Sequence, residues 1–170
     1  MNIAVIGFMG AGKTTVGRMI AERLGYAFVD MDEEIERAAG LSVNRIFEMY
    51  GEAAFRERET ALTAKLAGGD RQVVSCGGGW ALNPDNVAWM EGSSKLVYLR
   101  ASPDTILRRT SGDSSRPLLN VSSRGDRVVS LLGVRAPIYM GVADLVVDTD
   151  DMTLEQVSEK ILEEAEKWAL

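Results

Sequence analysis

The segment Gly7-Phe8-Met9-Gly10-Ala11-Gly12-Lys13-Thr14 fits the pattern G-x-x-x-x-G-K-[ST] and constrains this chain more than any other feature. An apolar run, Asn2-Ile3-Ala4-Val5-Ile6, leads into it, and an amphipathic helical pattern over about 13–24 follows. A strand that feeds a helix through such a loop curls backbone N–H groups around an anion. The helix N-terminus adds the positive end of its dipole. The pattern predicts a P-loop for a nucleoside triphosphate, with Lys13 reaching the β- and γ-phosphates and the Thr14 hydroxyl on Mg²⁺. A chance glycine turn would not bring pattern and context together. The base-reading Asn-Lys-x-Asp of guanine-specific switch proteins is absent, which weakens a GTPase reading.

The rest of the chain extends the strand–helix alternation. Apolar runs at Ala27–Val29, Gln72–Ser75, Lys95–Leu99 and Asp144–Val147 read as strands buried on both faces, as parallel strands are. Helical patterns lie between them, over about 31–39, 42–50, 52–67, 84–90, 103–110, 124–140 and 153–168, with start signals at Ser42 and Thr153. This order predicts an α/β fold: a parallel sheet covered by helices on both faces. The segment 111–125 is rich in Ser, Gly and Asp around Arg116-Pro117-Leu118-Leu119, and reads as a long mobile loop. No repeat or linker divides the 170 residues, a length that suits one domain.

Composition narrows the chemistry. There is no histidine, which excludes Ser-His triads and His-based zinc sites. Cys76 is the only cysteine, so no internal disulfide forms, and it reads as a small buried residue. The net charge of −6 argues against a general nucleic-acid binder but leaves room for a local basic pocket. No stretch approaches the roughly 18–20 apolar residues of a membrane span. No basic, signal-like region precedes the first strand, so a cytoplasmic protein is expected.

Four further features carry chemistry. Asp30 and Asp32 close the second strand, at the sheet edge where ligands bind in open α/β folds. One can serve a metal and the other a substrate hydroxyl, or either can cap the following helix. Gly77-Gly78-Gly79 ends a buried strand and either admits close approach of a ligand or forms a plain turn. Arg56 lies on a charged helix, where Arg58 and Glu59 can be solvated helix-face partners. Arg135 and Arg116 complete the set. Arginine suits bidentate clamping of carboxylate or phosphate, but spacing alone does not show which arginines converge.

Taken together these segments resemble shikimate kinase, a P-loop kinase group related to the nucleoside monophosphate kinases. The matching stretches are Gly7–Arg18; Phe28-Val29-Asp30-Met31-Asp32 with Ile35-Glu36; Ile46-Phe47-Glu48, Gly51-Glu52 and Phe55-Arg56-x-x-Glu59; Gly77-Gly78-Gly79; Arg116-Pro117-Leu118-Leu119; and Arg135-Ala136-Pro137-Ile138-Tyr139. The resemblance implies transfer of the ATP γ-phosphoryl group to the 3-hydroxyl of shikimate, on the route to chorismate and the aromatic amino acids. It implies a three-layer P-loop kinase fold with a five-stranded parallel sheet in order 2-3-1-4-5. It also implies a single kinase domain over 1–170, with a substrate-binding region around 31–62 and a lid around 111–124.

By the same likeness, Gly10, Ala11, Gly12, Lys13, Thr14 and Thr15 hold ATP. Thr14 binds Mg²⁺, with Asp30 in its outer shell and Ser75 nearby. Asp32 contacts the reacting hydroxyl as proton acceptor, and Arg56 and Arg135 clamp the shikimate carboxylate. Gly78 and Gly79 offer backbone groups to a ring hydroxyl. Arg116 closes onto the phosphates, Arg109 lies near adenine, and the loop near 149–151 borders the base. A monomer is implied. Two details depart from the pattern: Thr14 replaces the more usual serine, and Trp80 follows the triplet where a smaller residue is expected, either packing under the substrate or altering access. The rivals are another small-molecule kinase, acting on gluconate or a nucleoside monophosphate, and a catalytically silent nucleotide-binding regulator.

Overall fold

The structure, a computed structural model, describes residues 1–111 and 123–168. Its elements in chain order are β1 (Asn2–Ile6), α1 (Lys13–Leu24), β2 (Ala27–Asp30), α2 (Met31–Ala39), α3 (Val43–Ala67), β3 (Gln72–Ser75), a 3₁₀ turn (Trp80–Leu82), α4 (Pro84–Glu91), β4 (Ser94–Arg100), α5 (Pro103–Thr110), α6 (Arg124–Val142), β5 (Leu145–Asp148) and α7 (Leu154–Trp168). The strands form one parallel sheet in the order β2-β3-β1-β4-β5, as expected.

Successive side chains of a strand point to opposite faces, so an unbroken apolar strand feeds two cores. In β1, Ala4 and Ile6 join a cluster that includes Leu66, Val87, Met90, Val128 and Tyr139 from α3, α4 and α6. Ile3 and Val5 join the opposite cluster with Val16, Ile20, Val157 and Ile161 from α1 and α7. In β4, Leu96 and Tyr98 face the first core, while Val97 and Leu99 face the second. A third, smaller cluster of Ile35, Ile46 and Phe55 seats α2 against both halves of α3.

Local signals set the element ends. Thr153 and Gln156 form a reciprocal capping box at α7, with bonds of 3.2 and 2.8 Å. Asn83 and Ser102 cap helices that begin with a proline. The sequence separated the 42–50 and 52–67 helices, and α3 does break between them, at Gly51 with φ 84° and ψ 169°. The Trp80–Leu82 turn was not anticipated, because its hydrogen bonds reach back into the glycine triplet and leave no periodic trace. Among the described residues no helix is long and apolar enough to cross a membrane.

Candidate active site

The carboxyl ends of β1, β2 and β3 bring the candidate residues to one edge of the sheet. Gly12 takes φ 94° as it enters α1, a left-handed conformation that a side chain would strain. The Lys13 ammonium donates to the carbonyls of Gly7 (3.0 Å) and Phe8 (2.9 Å), which holds it over its own loop. Ala11 is buried under the loop and Thr15 is exposed at the helix start. Thr110 and Arg109 at the end of α5 lean on Gly10, where an added Cβ would lie 2.6 Å from Thr110 Cγ2. Arg109 is tied to the 149–151 loop, donating to Thr149 Oγ1 (3.1 Å) and to the Thr149 carbonyl (3.0 Å).

Asp30 satisfies both readings of its role. One carboxylate oxygen caps α2, accepting from Asp32 N (3.1 Å) and Glu33 N (3.3 Å). The other accepts from the Thr14 hydroxyl at 2.6 Å. The β2–β3 register sets Asp30 beside Ser75, whose hydroxyl lies 3.4 Å from that of Thr14. Because the helix starts at Met31, Asp32 diverges from Asp30 and lines the neighbouring cavity.

That cavity, about 300 Å³, is bounded by Lys13 and Thr14 on one side and by Asp32, Arg56, Gly78 and Arg135 on the other. Arg56 is gripped by two acids of its own helix: Glu52 Oε1 at 3.0 and 3.3 Å, and Glu59 Oε2 at 3.0 Å. Arg135, only 4% exposed, donates to the Gly78 carbonyl at 3.2 Å, and its guanidinium lies 5.6 Å from the centroid of the Phe8 ring. The Tyr139 hydroxyl, one helical turn on, donates to the same carbonyl. Burial pushes that hydroxyl's pKa up, so it remains a neutral donor. The two arginines that spacing could not pair thus face one cavity from α3 and α6.

Glu59 corrects the sequence reading. Instead of a solvated partner it is 1% exposed, with Oε1 2.5 Å from where a Cβ on Gly77 would stand. Its spacing from Arg56, one helical turn, was the available signal. Burial raises its pKa above the ordinary 4.5; Arg56 opposes the shift and Asp32 adds to it. Folding therefore favours the protonated carboxyl. Its contribution to stability is complete below pH 4.5 and is lost as pH rises through the raised value. A Glu59→Gln variant, which does not titrate, is expected to gain on the parent as pH climbs through that window. Urea midpoints of both proteins from pH 4.5 upward check this, and a pH-independent difference would contradict it.

Cys76 is buried, and burial, with Glu59 adding, holds its thiol pKa well up, so it is no nucleophile. Trp80 neither contacts the cavity nor narrows its mouth; it is fully buried behind the triplet. The triplet is not a loose turn either: Trp80 N donates to the Gly77 carbonyl at 3.0 Å and closes it. Arg116 and the centre of the expected 111–124 lid lie outside the described residues.

The comparisons with known proteins agree with this geometry. A model of the shikimate kinase family matches residues 9–166. Shikimate kinase of Thermodesulfovibrio yellowstonii is 41% identical over 98% of this chain and 95% of its own length. That of Neisseria meningitidis serogroup C is 47% identical over 87% of each. The structure of shikimate kinase from Acinetobacter baumannii in complex with shikimate superposes with a TM-score of 0.95 at 38% identity, covering 99% of this chain and 94% of the other. A match of this extent, on a chain whose phosphate loop opens into a two-arginine cavity, leaves one assignment: the chain belongs to the shikimate kinase family.

Proposed function

We propose that the chain transfers the γ-phosphoryl group of ATP to the 3-hydroxyl of shikimate, giving ADP and shikimate 3-phosphate for aromatic amino acid biosynthesis. The observation that carries this reading is that Lys13 and Thr14 share one cavity with Asp32, Arg56 and Arg135. Gly10 to Thr15 cradle the ATP phosphates, with Arg109 and the 149–151 loop at the base. Arg56 and Arg135 hold the shikimate carboxylate, and Gly78 and Gly79 present backbone groups to the ring. This fixes the acceptor with Asp32 toward its reacting hydroxyl. Asp32 then takes the hydroxyl proton as the oxygen attacks the γ-phosphorus, and Lys13 offsets charge on the transferring group.

The residues also fit Mg²⁺. The corner formed by the Thr14 hydroxyl, the Asp30 carboxylate and the Ser75 hydroxyl is all oxygen, the donor type this ion prefers. Thr14 would bind it directly and Asp30 through water. When bound it neutralises phosphate charge.

The same reading has 1–170 acting as one cytoplasmic, monomeric domain on a small molecule. Its net charge of −6 argues against a general nucleic-acid binder, while the local field of two arginines attracts the anionic acceptor. An ADP-release assay with ATP, Mg²⁺ and, in turn, shikimate, gluconate and AMP tests the assignment. Turnover with gluconate or AMP but not with shikimate overturns it.

Gly79→Ala probes the acceptor side separately. Gly79 has an ordinary backbone (φ −101°), but an added Cβ would lie 2.5 Å from Arg56 Nη2. The guanidinium must shift, and a misplacement near 1 Å can cost roughly 10²-fold. Shikimate kcat/KM is expected to fall by about 10- to 100-fold, with ATP KM little changed. Steady-state kinetics with each substrate varied check this.

A further inference from the structure

Trp80 stands outside the cavity, yet its polar atoms lead back to Arg56. Its indole N–H donates to Thr63 Oγ1 at 2.8 Å. The Thr63 hydroxyl in turn donates to the Glu59 carbonyl at 2.8 Å, leaving its lone pair for the indole. Glu59 holds Arg56 at 3.0 Å. A second tie runs parallel: Asn83 Nδ2 donates to Thr60 Oγ1 at 3.0 Å. Residues 56, 59, 60 and 63 are spaced i, i+3, i+4 and i+7, so they form one face of α3. On the other side, Trp80 N closes the triplet on Gly77 O (3.0 Å), and the buried Asn86 side chain donates to Trp80 O at 3.1 Å. The turn after the triplet is therefore fastened both to the triplet and to the helix face that bears Arg56.

We propose that Trp80 is a positioning residue for acceptor binding: through Thr63 its indole N–H locks the Arg56-bearing face of α3 against Gly77–Gly79. A small residue at this position would leave a void where the fully buried indole stands and would supply no side-chain N–H to reach Thr63, so the device belongs to the tryptophan. The proposal rests on the reading of Arg56 as a carboxylate clamp. Trp80 does not touch substrate. It acts by keeping the guanidinium over Gly79, in the space a Cβ there would take, 2.5 Å from Arg56 Nη2.

The test uses the full chain and the variants Trp80→Phe, Thr63→Val, Thr63→Ser and the Phe/Val double. Trp80→Phe keeps an aromatic ring and loses the N–H; Thr63→Val loses the hydroxyl at similar volume. Each is expected to raise shikimate KM by about 5- to 10-fold while ATP KM stays within about twofold. Thr63→Ser, which restores the hydroxyl, is expected within about twofold of the parent. The double variant should be no worse than the worse single, because both break one link. Parallel rises in both KM values, additive effects in the double, or an unchanged shikimate KM would overturn the proposal. A second readout does not depend on the acceptor: the Arg56 side-chain ¹H–¹⁵N signals, assigned with Arg56→Lys. Faster guanidinium N–H exchange in Trp80→Phe is expected, and unchanged exchange overturns the proposal. Absence of shikimate turnover in the parent protein would sink the functional reading instead, and the Arg56 signals would still decide the role of Trp80.

Discussion

Asp32→Asn is expected to lower kcat with shikimate by about 10²- to 10⁴-fold, the range for loss of a positioned general base. ATP KM should stay within a few-fold of the parent. The physical reason is local. Asparagine has the same shape and can still hydrogen-bond a hydroxyl, but its amide cannot take the proton. The backbone N–H of residue 32 bonds to Asp30 regardless of the side chain, so the start of α2 is preserved. The phosphate loop is held by separate contacts from Lys13 and Thr14. Steady-state kinetics together with nucleotide titration separate the two halves of the site. A variant that turns over near the parent rate would remove Asp32 from the role of proton acceptor, and one that fails to bind ATP would show a wider disruption than the structure allows.

Arg135→Ala is expected to act on the other substrate. Removing one partner of a buried, hydrogen-bonded charge pair costs about 2–5 kcal/mol. Since each 1.4 kcal/mol is tenfold, shikimate KM should rise at least about thirtyfold. ATP KM should move far less. Arg135 sits behind the Phe8 ring and donates to Gly78, so some disturbance of the loop is built in. Arg135→Lys keeps the charge but loses the planar fork that donates to Gly78 and lies 5.6 Å from the Phe8 ring centroid, and is expected to recover only part of the loss. Equal effects of Arg135→Ala on both KM values would argue against carboxylate clamping and for a general role in holding Phe8 and the triplet.

Both predictions join residues that lie far apart in the chain, and that shows where a linear reading ends. The phosphate loop was legible because its pattern, preceding strand and following helix are all local, and G-x-x-x-x-G-K-[ST] admits few other uses. The sheet was legible because unbroken apolar strands must be covered on both faces. Asp30 resisted a single role, since a carboxylate at a helix start can cap, face a hydroxyl, or do both with its two oxygens, as here. Glu59 looked like any acid on a charged helix face. Its burial depends on Gly77, which leaves the space its carboxylate occupies. Trp80 read as something placed near the substrate, whereas Thr63 and Asn86 draw it into the core.

Residue order alone thus accounts for the phosphate-loop pattern and the strand–helix alternation, because short spacings and periodic apolarity encode them directly. Folding settled which of those residues meet. Arg56 on α3 and Arg135 on α6 face one cavity only because β3 ends between them in a triplet with no side chains to keep them apart. Gly7–Thr14, whose pattern is complete in eight consecutive residues, comes to share one cavity with Asp32, Arg56 and Arg135 through that convergence, which no local spacing specifies.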